Sequence, residues 1–203
     1  MKLITSLNIR YEFFILNDLK IASEKSAYDE LVKCGNNYFE HFQLPLSHIP
    51  GVFQARNLFH QLKMDPTRHR PSSEALLRRA MKQKKFHSVN NLVDVCNWCA
   101  LDFLLPNGVY DSSKIQGDIV LREGLENESY EGINNRQVNL AARYCLADDV
   151  GVFGSPITDS RRTSVDLHTQ NACIIIYAPA DYSAEILQSR KELMITRILR
   201  FCQ

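Results

Sequence analysis

The chain has almost no excess charge, few glycines and prolines, and no long apolar run. Its 203 residues carry 24 basic and 23 acidic side chains, so bulk charge does not make it a polybasic nucleic-acid binder. No apolar stretch approaches the roughly 20 residues that span a bilayer. The opening MKLITSLNIRYEFFILNDLK has Arg10 and Glu12 inside its apolar part and no small-residue cleavage site after it. It does not read as a signal peptide, and the expected location is the cytoplasm. Glycine and proline number only 8 and 7, and neither an internal repeat nor a low-complexity tract is present. Of six cysteines, only Cys96 and Cys99 have C-x-x-C spacing, and no second pair or close histidine pair completes a zinc site. Reduced core cysteines are expected, with no metal and no cofactor.

The charge that is present is unevenly spread. Residues 63–85 hold eight basic and two acidic side chains, a net of +6, and residues 91–150 hold four basic and ten acidic, a net of −6. Arg68, Arg70, Arg78, Arg79, Lys82, Lys84 and Lys85 are therefore candidate contacts for a polyanion. The alternative is a solvated helix facing an acidic neighbour.

The pattern predicts helices, then strands, then a helix. LNIRYEFFIL is β-prone, and a helix is expected from about Leu19 to Lys33 with Gly35 at its C-terminal cap. PGVFQARNLFHQLKMDP spaces its apolar residues helically and stops at Asp65-Pro66. The next helix has Ser72 as N-cap, Glu74 in its first turn, and Leu76, Leu77 and Ala80 facing inward, leaving Arg78, Arg79 and Lys82 largely exposed. In and just before NNLVDVCNWCALDFLLPNGVYD, Val89, Leu92, Val93, Cys96, Ala100, Phe103 and Leu104 form an apolar face, while Asn90, Asp94 and Asn97 form a polar stripe beside it. Pro106-Asn107-Gly108 reads as the turn that ends this helix. GDIVLRE, YCLADD and ACIIIYAP are β-type runs, and SAEILQSRKELMITRILRF returns to helix. This order argues for an α+β fold with helices packed on a mixed, largely antiparallel sheet. Residues 1–60 are expected to pack as an N-terminal extension on a core of 61–180, with 181–203 a helix of the same domain.

PSSEALLRR, VNNLVDVCN, LPNGVYD, LADD and the Thr169-Gln170-Asn171 turn follow one another between Pro71 and Pro179. In that order they resemble the B3/B4 domain of the bacterial phenylalanyl-tRNA synthetase β-chain, and more closely the freestanding B3/B4-like proteins. The resemblance covers a little over half the chain. It implies an α+β editing module that meets the charged 3′ end of tRNA and hydrolyses tyrosine wrongly esterified to phenylalanine tRNA. Such a chain is not expected to make aminoacyl-tRNA by itself. Thr169 matches the family's threonine, and Asp159 is a looser counterpart of its acidic residue. Two positions depart from the family pattern: Gly108 stands where synthetase domains often have histidine, and Gly154-Ser155 stands where they have paired glycines.

In that light Asn90, Asp94 and Asn97 are candidates for a polar wall that distinguishes tyrosine from phenylalanine by one hydroxyl, with Tyr110 beside them. For Asp94 and Asn97 the competing reading is a structural tie to nearby backbone. The loop 154–171 concentrates Thr158, Asp159, Ser160, Arg161, Arg162, Thr163, His168 and Thr169 between two β-type segments. Arg161 and Arg162 suit a carboxylate or phosphate, and His168 could act as a base or hold a water. His168, Thr169 and Asp159 are the candidate catalytic groups; Thr158, Ser160, Arg161 and Arg162 are candidate substrate contacts. Three functions remain open: a deacylase of mischarged aminoacyl-tRNA, a tRNA-binding module without hydrolysis, and a binder of a free amino acid or related small molecule.

Overall fold

A computed structural model describes residues 1–42, 45–155 and 158–203. Its strands are β1 (Leu3–Thr5), β2 (Ile9–Leu16), β3 (Asn107–Asp111), β4 (Ile119–Glu123), β5 (Ser129–Glu131), β6 (Gln137–Asn139), β7 (Tyr144–Ala147), β8 (Val152–Gly154) and β9 (Ala172–Pro179). Its helices are α1 (Ser26–His41), α2 (Val52–Gln61), α3 (Ser72–Met81), α4 (Asn91–Phe103) and α5 (Ala184–Phe201). The architecture is the expected α+β one, with the strands divided among two main sheets and a hairpin. One sheet runs β2-β9-β3 and is antiparallel throughout. The other runs β1-β4-β7-β8, with β1 parallel to β4 and the remaining pairs antiparallel. β5 and β6 form the separate hairpin.

β9 explains why ACIIIYAP is apolar without alternation. All eight residues are buried, because the strand is covered on both faces. Ala172, Ile174, Ile176 and Ala178 pack with Leu92, Val95 and Cys99 of α4 and with Leu187, Met194 and Ile198 of α5. The intervening Cys173, Ile175 and Tyr177 pack with Leu58 and Phe59 of α2 and with Leu121, Leu146 and Phe153 of the second sheet. A third core joins Leu31, Leu77, Phe86, Leu101 and Leu104 between α1, α3 and α4. The first sixty residues supply a strand to each main sheet: β2 pairs with β9 along eight residues, and β1 pairs with β4. Among the described residues no helix is long and apolar enough to cross a membrane.

Several local expectations are corrected. The first helix lies later than Leu19–Lys33, and Gly35 is inside it rather than at its cap. A Cβ at Gly35 would stand 2.7 Å from the Phe86 ring, so close packing, not a left-handed turn, requires the glycine. Ser72 is the first residue of α3; Pro71 occupies the N-cap, with no side-chain cap bond. Asn107 and Gly108 are not a turn. α4 stops at Leu104, which adopts a left-handed conformation, and Asn107 already pairs with Ile176 of β9.

Candidate functional site

The polar stripe of α4 builds the helix start. Asn90 is the N-cap, its side chain accepting from the Val93 N–H at 2.9 Å. Asp94 is fully buried and accepts from the Ser88 hydroxyl at 2.6 Å and the Val89 N–H at 3.1 Å. Burial pushes its carboxyl up, against those two hydrogen bonds. Asn91, not singled out in the sequence, binds more backbone than either. Its amide donates to the carbonyls of Lys20 and Phe201, and its oxygen accepts from the N–H groups of Ala22 and Leu92. Asn97 is half-buried farther along the helix. None of Asn90, Asp94 and Asn97 lines the cleft described next; Asn90 and Asp94 accept from backbone and hydroxyl donors at the start of the helix. The bond to Val89 nevertheless fixes a residue of the cleft wall.

That cleft has a volume of about 490 Å³, within the range of small-molecule sites. Val89 and Val93 form one wall, Val109 of β3 and Val165 another. Ile133 and Asn135, in the turn joining β5 to β6, also line it, and Asp159, Arg161 and Ser164 supply its remaining polar lining. The hairpin is tied to this polar edge: the Ile133 N–H donates to the Asp159 carbonyl at 3.0 Å, and the Arg161 N–H donates to the Glu131 carbonyl at 2.9 Å. On so extended a segment, residues two apart face the same side, which sends Asp159 and Arg161 into the cleft and Ser160 into the core.

Asp159 is the ionisable centre of the cleft. Tyr110, fully buried, donates its hydroxyl to Asp159 Oδ1 at 2.6 Å. Burial pushes the Asp159 carboxyl up to about 7, against the pull of that hydrogen bond. The Tyr110 ring meets Phe153 edge-on, centroids 5.2 Å apart. Its hydroxyl end fits between two glycines. A Cβ at Gly108 would stand 2.5 Å from the phenol oxygen, and one at Gly154 would stand 2.6 Å from it. Gly108, where the sequence departs from the family pattern, and Gly154 thus frame one buried phenol.

The rest of the 154–171 loop is divided between site and scaffold. Ser160 is buried, its oxygen 3.5 Å from that of Thr163. The Thr158 carbonyl accepts from the hydroxyls of Tyr130 and Ser155. Arg162 forms a two-pronged ion pair with buried Asp148 at 2.8 and 3.0 Å and lies 5.5 Å from the Phe153 ring centre, which engages it inside the fold. Arg161 is the freer of the two, 63% exposed, with Asn135 Oδ1 at 2.9 Å and Glu131 at 3.5 Å. Thr169 is buried; its hydroxyl donates to Asp111 Oδ2 at 2.8 Å and accepts from the Asp166 N–H at 3.0 Å. His168 is exposed, and neither it nor Thr169 lines the cleft. Of the candidate catalytic groups, the fold brings only Asp159 to the cleft; Thr169 is turned to Asp111 because it closes the turn entering β9.

The basic segment also divides. Glu74, 1% exposed, accepts two hydrogen bonds from Arg56 at 2.8 Å and one from Arg78 at 2.9 Å, with Arg70 at 3.8 Å. Glu74 is therefore the hub of a buried ion-pair network rather than a solvated first-turn charge. Arg78 and Arg79 are half-buried, contrary to the expected exposure, and Arg79 donates to the Lys85 carbonyl at 3.0 Å. Arg68, Arg70, Lys82, Lys84 and Lys85 are exposed. The three lysines sit on the segment between α3 and α4 that delivers Val89 to the cleft.

The chain is thus an α+β domain with a strand-framed cleft at Asp159, and comparison with known proteins gives its kinship. The chain belongs to the B3/4 domain family, whose model matches residues 54–196. Over 88 residues it is 36% identical to the phenylalanine–tRNA ligase beta subunit of Bartonella quintana, an overlap covering 42% of this chain and 11% of that subunit. Over 116 residues it is 26% identical to the corresponding subunit of Neisseria meningitidis serogroup B, covering 56% and 14%. The chain thus spans about a tenth to a seventh of the curated relatives it matches. Among solved structures it is similar to an N-terminal fragment of the phenylalanyl-tRNA synthetase beta-subunit from Pyrococcus horikoshii, with a TM-score of 0.47 and 12% identity over 94% of this chain and 74% of the fragment.

Proposed function

We propose that this B3/4 domain receives the aminoacyl end of a tRNA in the cleft beside Asp159 and hydrolyses the ester of a mischarged amino acid. The observation that carries the reading is the placement of one carboxyl, set near neutrality by burial, in an otherwise largely aliphatic cleft. Kinship with the synthetase β-subunits supplies the substrate class. In the reaction, water adds to the ester carbonyl and the bond to the ribose oxygen breaks, leaving a free amino acid and a tRNA with its 3′ hydroxyl restored. An activated ester needs a held substrate, an aligned water and hydrogen-bond donors to the developing oxyanion, rather than a protein nucleophile. Lys82, Lys84 and Lys85, exposed on the segment that leads to Val89, would meet the RNA backbone.

The reading is tested by the loss of labelled amino acid from Tyr-tRNA(Phe), beside Phe-tRNA(Phe) and a panel of other aminoacyl-tRNAs. Selective release that falls at least about tenfold in Asp159→Asn supports it. No release from any ester with excess protein overturns it. A second reading, a binder of a free amino acid without RNA, is favoured by the Glu74 network, which draws Arg78 out of the basic surface.

A further inference from the structure

We infer that the free edge of β2 docks a second copy of this chain, the two β2 strands pairing antiparallel about a two-fold axis at Tyr11. β2 lies at the edge of the sheet β2-β9-β3 and runs beside β9 for eight residues with no break in register. The Tyr177 N–H of β9 donates to the Pro106 carbonyl, on the β3 side. Tyr11, which faces Tyr177, therefore turns its own N–H and C=O away from β9. By the two-residue period of a strand, Phe13 and Ile15 do the same. Among the described residues no hydrogen bond reaches these outward backbone groups. An edge of this length invites another strand unless lysine, proline or a bulge blunts it, and Ile9–Leu16 contains none of the three. The other edge strands of the two main sheets are shorter: β1 and β8 have three residues each, and β3 has five.

The charges along the edge select a second copy and one register. With the axis at Tyr11, Arg10 stands opposite the partner's Glu12, and Glu12 opposite the partner's Arg10. Both pairs fall at positions without ladder bonds, where facing side chains lie closest. Both groups have capacity left. Arg10 is exposed and uses only its Nε, donating to the Ala180 carbonyl at 2.9 Å. Glu12 accepts from Lys191 of α5 through Oε2 at 2.7 Å, and its Oε1 has no described partner. A groove of about 220 Å³ between Arg10, Glu12 and Ala184 of α5 leaves room for the incoming side chains. An axis at Glu12 would set two carboxylates against each other, and one at Phe13 would face the charges with Phe14 and Leu16. The joined sheet has six strands, with the two β3 strands at its far edges, about 24 Å apart across five strand spacings. Val109 of the cleft lies on β3, so the pairing leaves both clefts open and does not depend on what they bind.

The test is sedimentation velocity of the full chain over a concentration series, with amide hydrogen exchange on the same samples. Wild type should reach twice the monomer mass by about 100 μM, and the Tyr11 and Phe13 N–H groups should gain protection as the dimer forms. Arg10→Glu and Glu12→Arg each set like charges opposite one another twice across the axis, so each alone should weaken association at least about tenfold. An equal mixture of the two variants restores both opposite-charge pairs and should dimerise again, which also shows that each variant is folded. A wild type that stays monomeric throughout, a dimer in which Tyr11 and Phe13 exchange freely, or single variants that associate as tightly as wild type would overturn the inference. So would a mixture that stays monomeric although both variants unfold as cooperatively as wild type. The first two outcomes need no variant, so a folding defect in Glu12→Arg, which loses its pair with Lys191, cannot produce them.

Discussion

The Tyr110 hydroxyl donates to Asp159 Oδ1 at 2.6 Å across 49 residues of sequence, in space left by the missing side chains of Gly108 and Gly154. Tyr110→Phe keeps the ring against Phe153 and deletes only this bond. Because the bond holds the Asp159 carboxyl down, its loss should raise the pH at which ligand binding or deacylation titrates. A stability loss of about 1–2 kcal/mol should accompany it. A pH–rate profile unchanged from wild type would show that the bond does not govern the cleft.

Gly108→Ala should act on the same bond without touching either partner. The new Cβ would lie 2.5 Å from the phenol oxygen, and residues two apart in a strand share a face, so the ring must move. A loss of about 1–3 kcal/mol is expected from overpacking, together with the titration shift of Tyr110→Phe. Denaturant unfolding and the pH–rate profile read the two effects separately. A variant as stable as wild type would mean that the ring moves aside freely.

Asp159 should also imprint itself on stability. Its folded value of about 7 lies above the roughly 3.9 of an unfolded aspartate, so between those values the folded state binds the extra proton. Stability therefore falls as pH rises from about 4 to about 7 and levels off above. Asp159→Asn should remove this decline, which denaturation midpoints over a pH series would record. Parallel curves for wild type and variant would contradict the assignment.

Asp94→Ala should be a stability mutation. It deletes the hydrogen bonds from the Ser88 hydroxyl and the Val89 N–H, at a cost of about 1–3 kcal/mol. Ligand affinity should fall only as far as Val89 shifts, and far less than in Asp159→Asn. A titration in which the two variants lose affinity equally would return Asp94 to the ligand site.

The basic residues should separate by partner. Replacing Lys82, Lys84 and Lys85 together by alanine should weaken tRNA binding and reduce the log–log salt slope by about 2–3, with little change in stability. Arg56→Ala should instead destabilise by about 2 kcal/mol, because buried Glu74 loses its two-pronged partner. A salt slope unmoved by the lysine replacements would place the RNA surface elsewhere.

Much of this was legible in the sequence, because it depends on local periodicity. ACIIIYAP reads as a strand and occupies β9 along its whole length; SAEILQSRKELMITRILRF reads as a helix and forms α5 with Ser183 as its N-cap. The α+β order follows from the same patterns, and the motifs from Pro71 to Pro179 pointed to the B3/4 family. What the sequence could not show was the destination of polar side chains. Asn90 and Asp94 look like a polar wall on a helical wheel, but the helix terminus and the preceding turn use their oxygens. Thr169 reads as a site residue, but its bond to Asp111, 58 positions away, could not be read from the sequence. Gly108 looked like a missing histidine, and only the return of the chain through Gly154 shows that the vacancy houses Tyr110. Helix and strand periods are written in neighbouring residues, whereas a hydrogen bond belongs to whichever distant partner the packed fold brings within 3 Å. Local sequence therefore determined the helices and the longer strands, while tertiary structure added the short strands β1, β3, β5, β6 and β8 and decided that Asp159, alone among the candidate catalytic residues, faces the cleft.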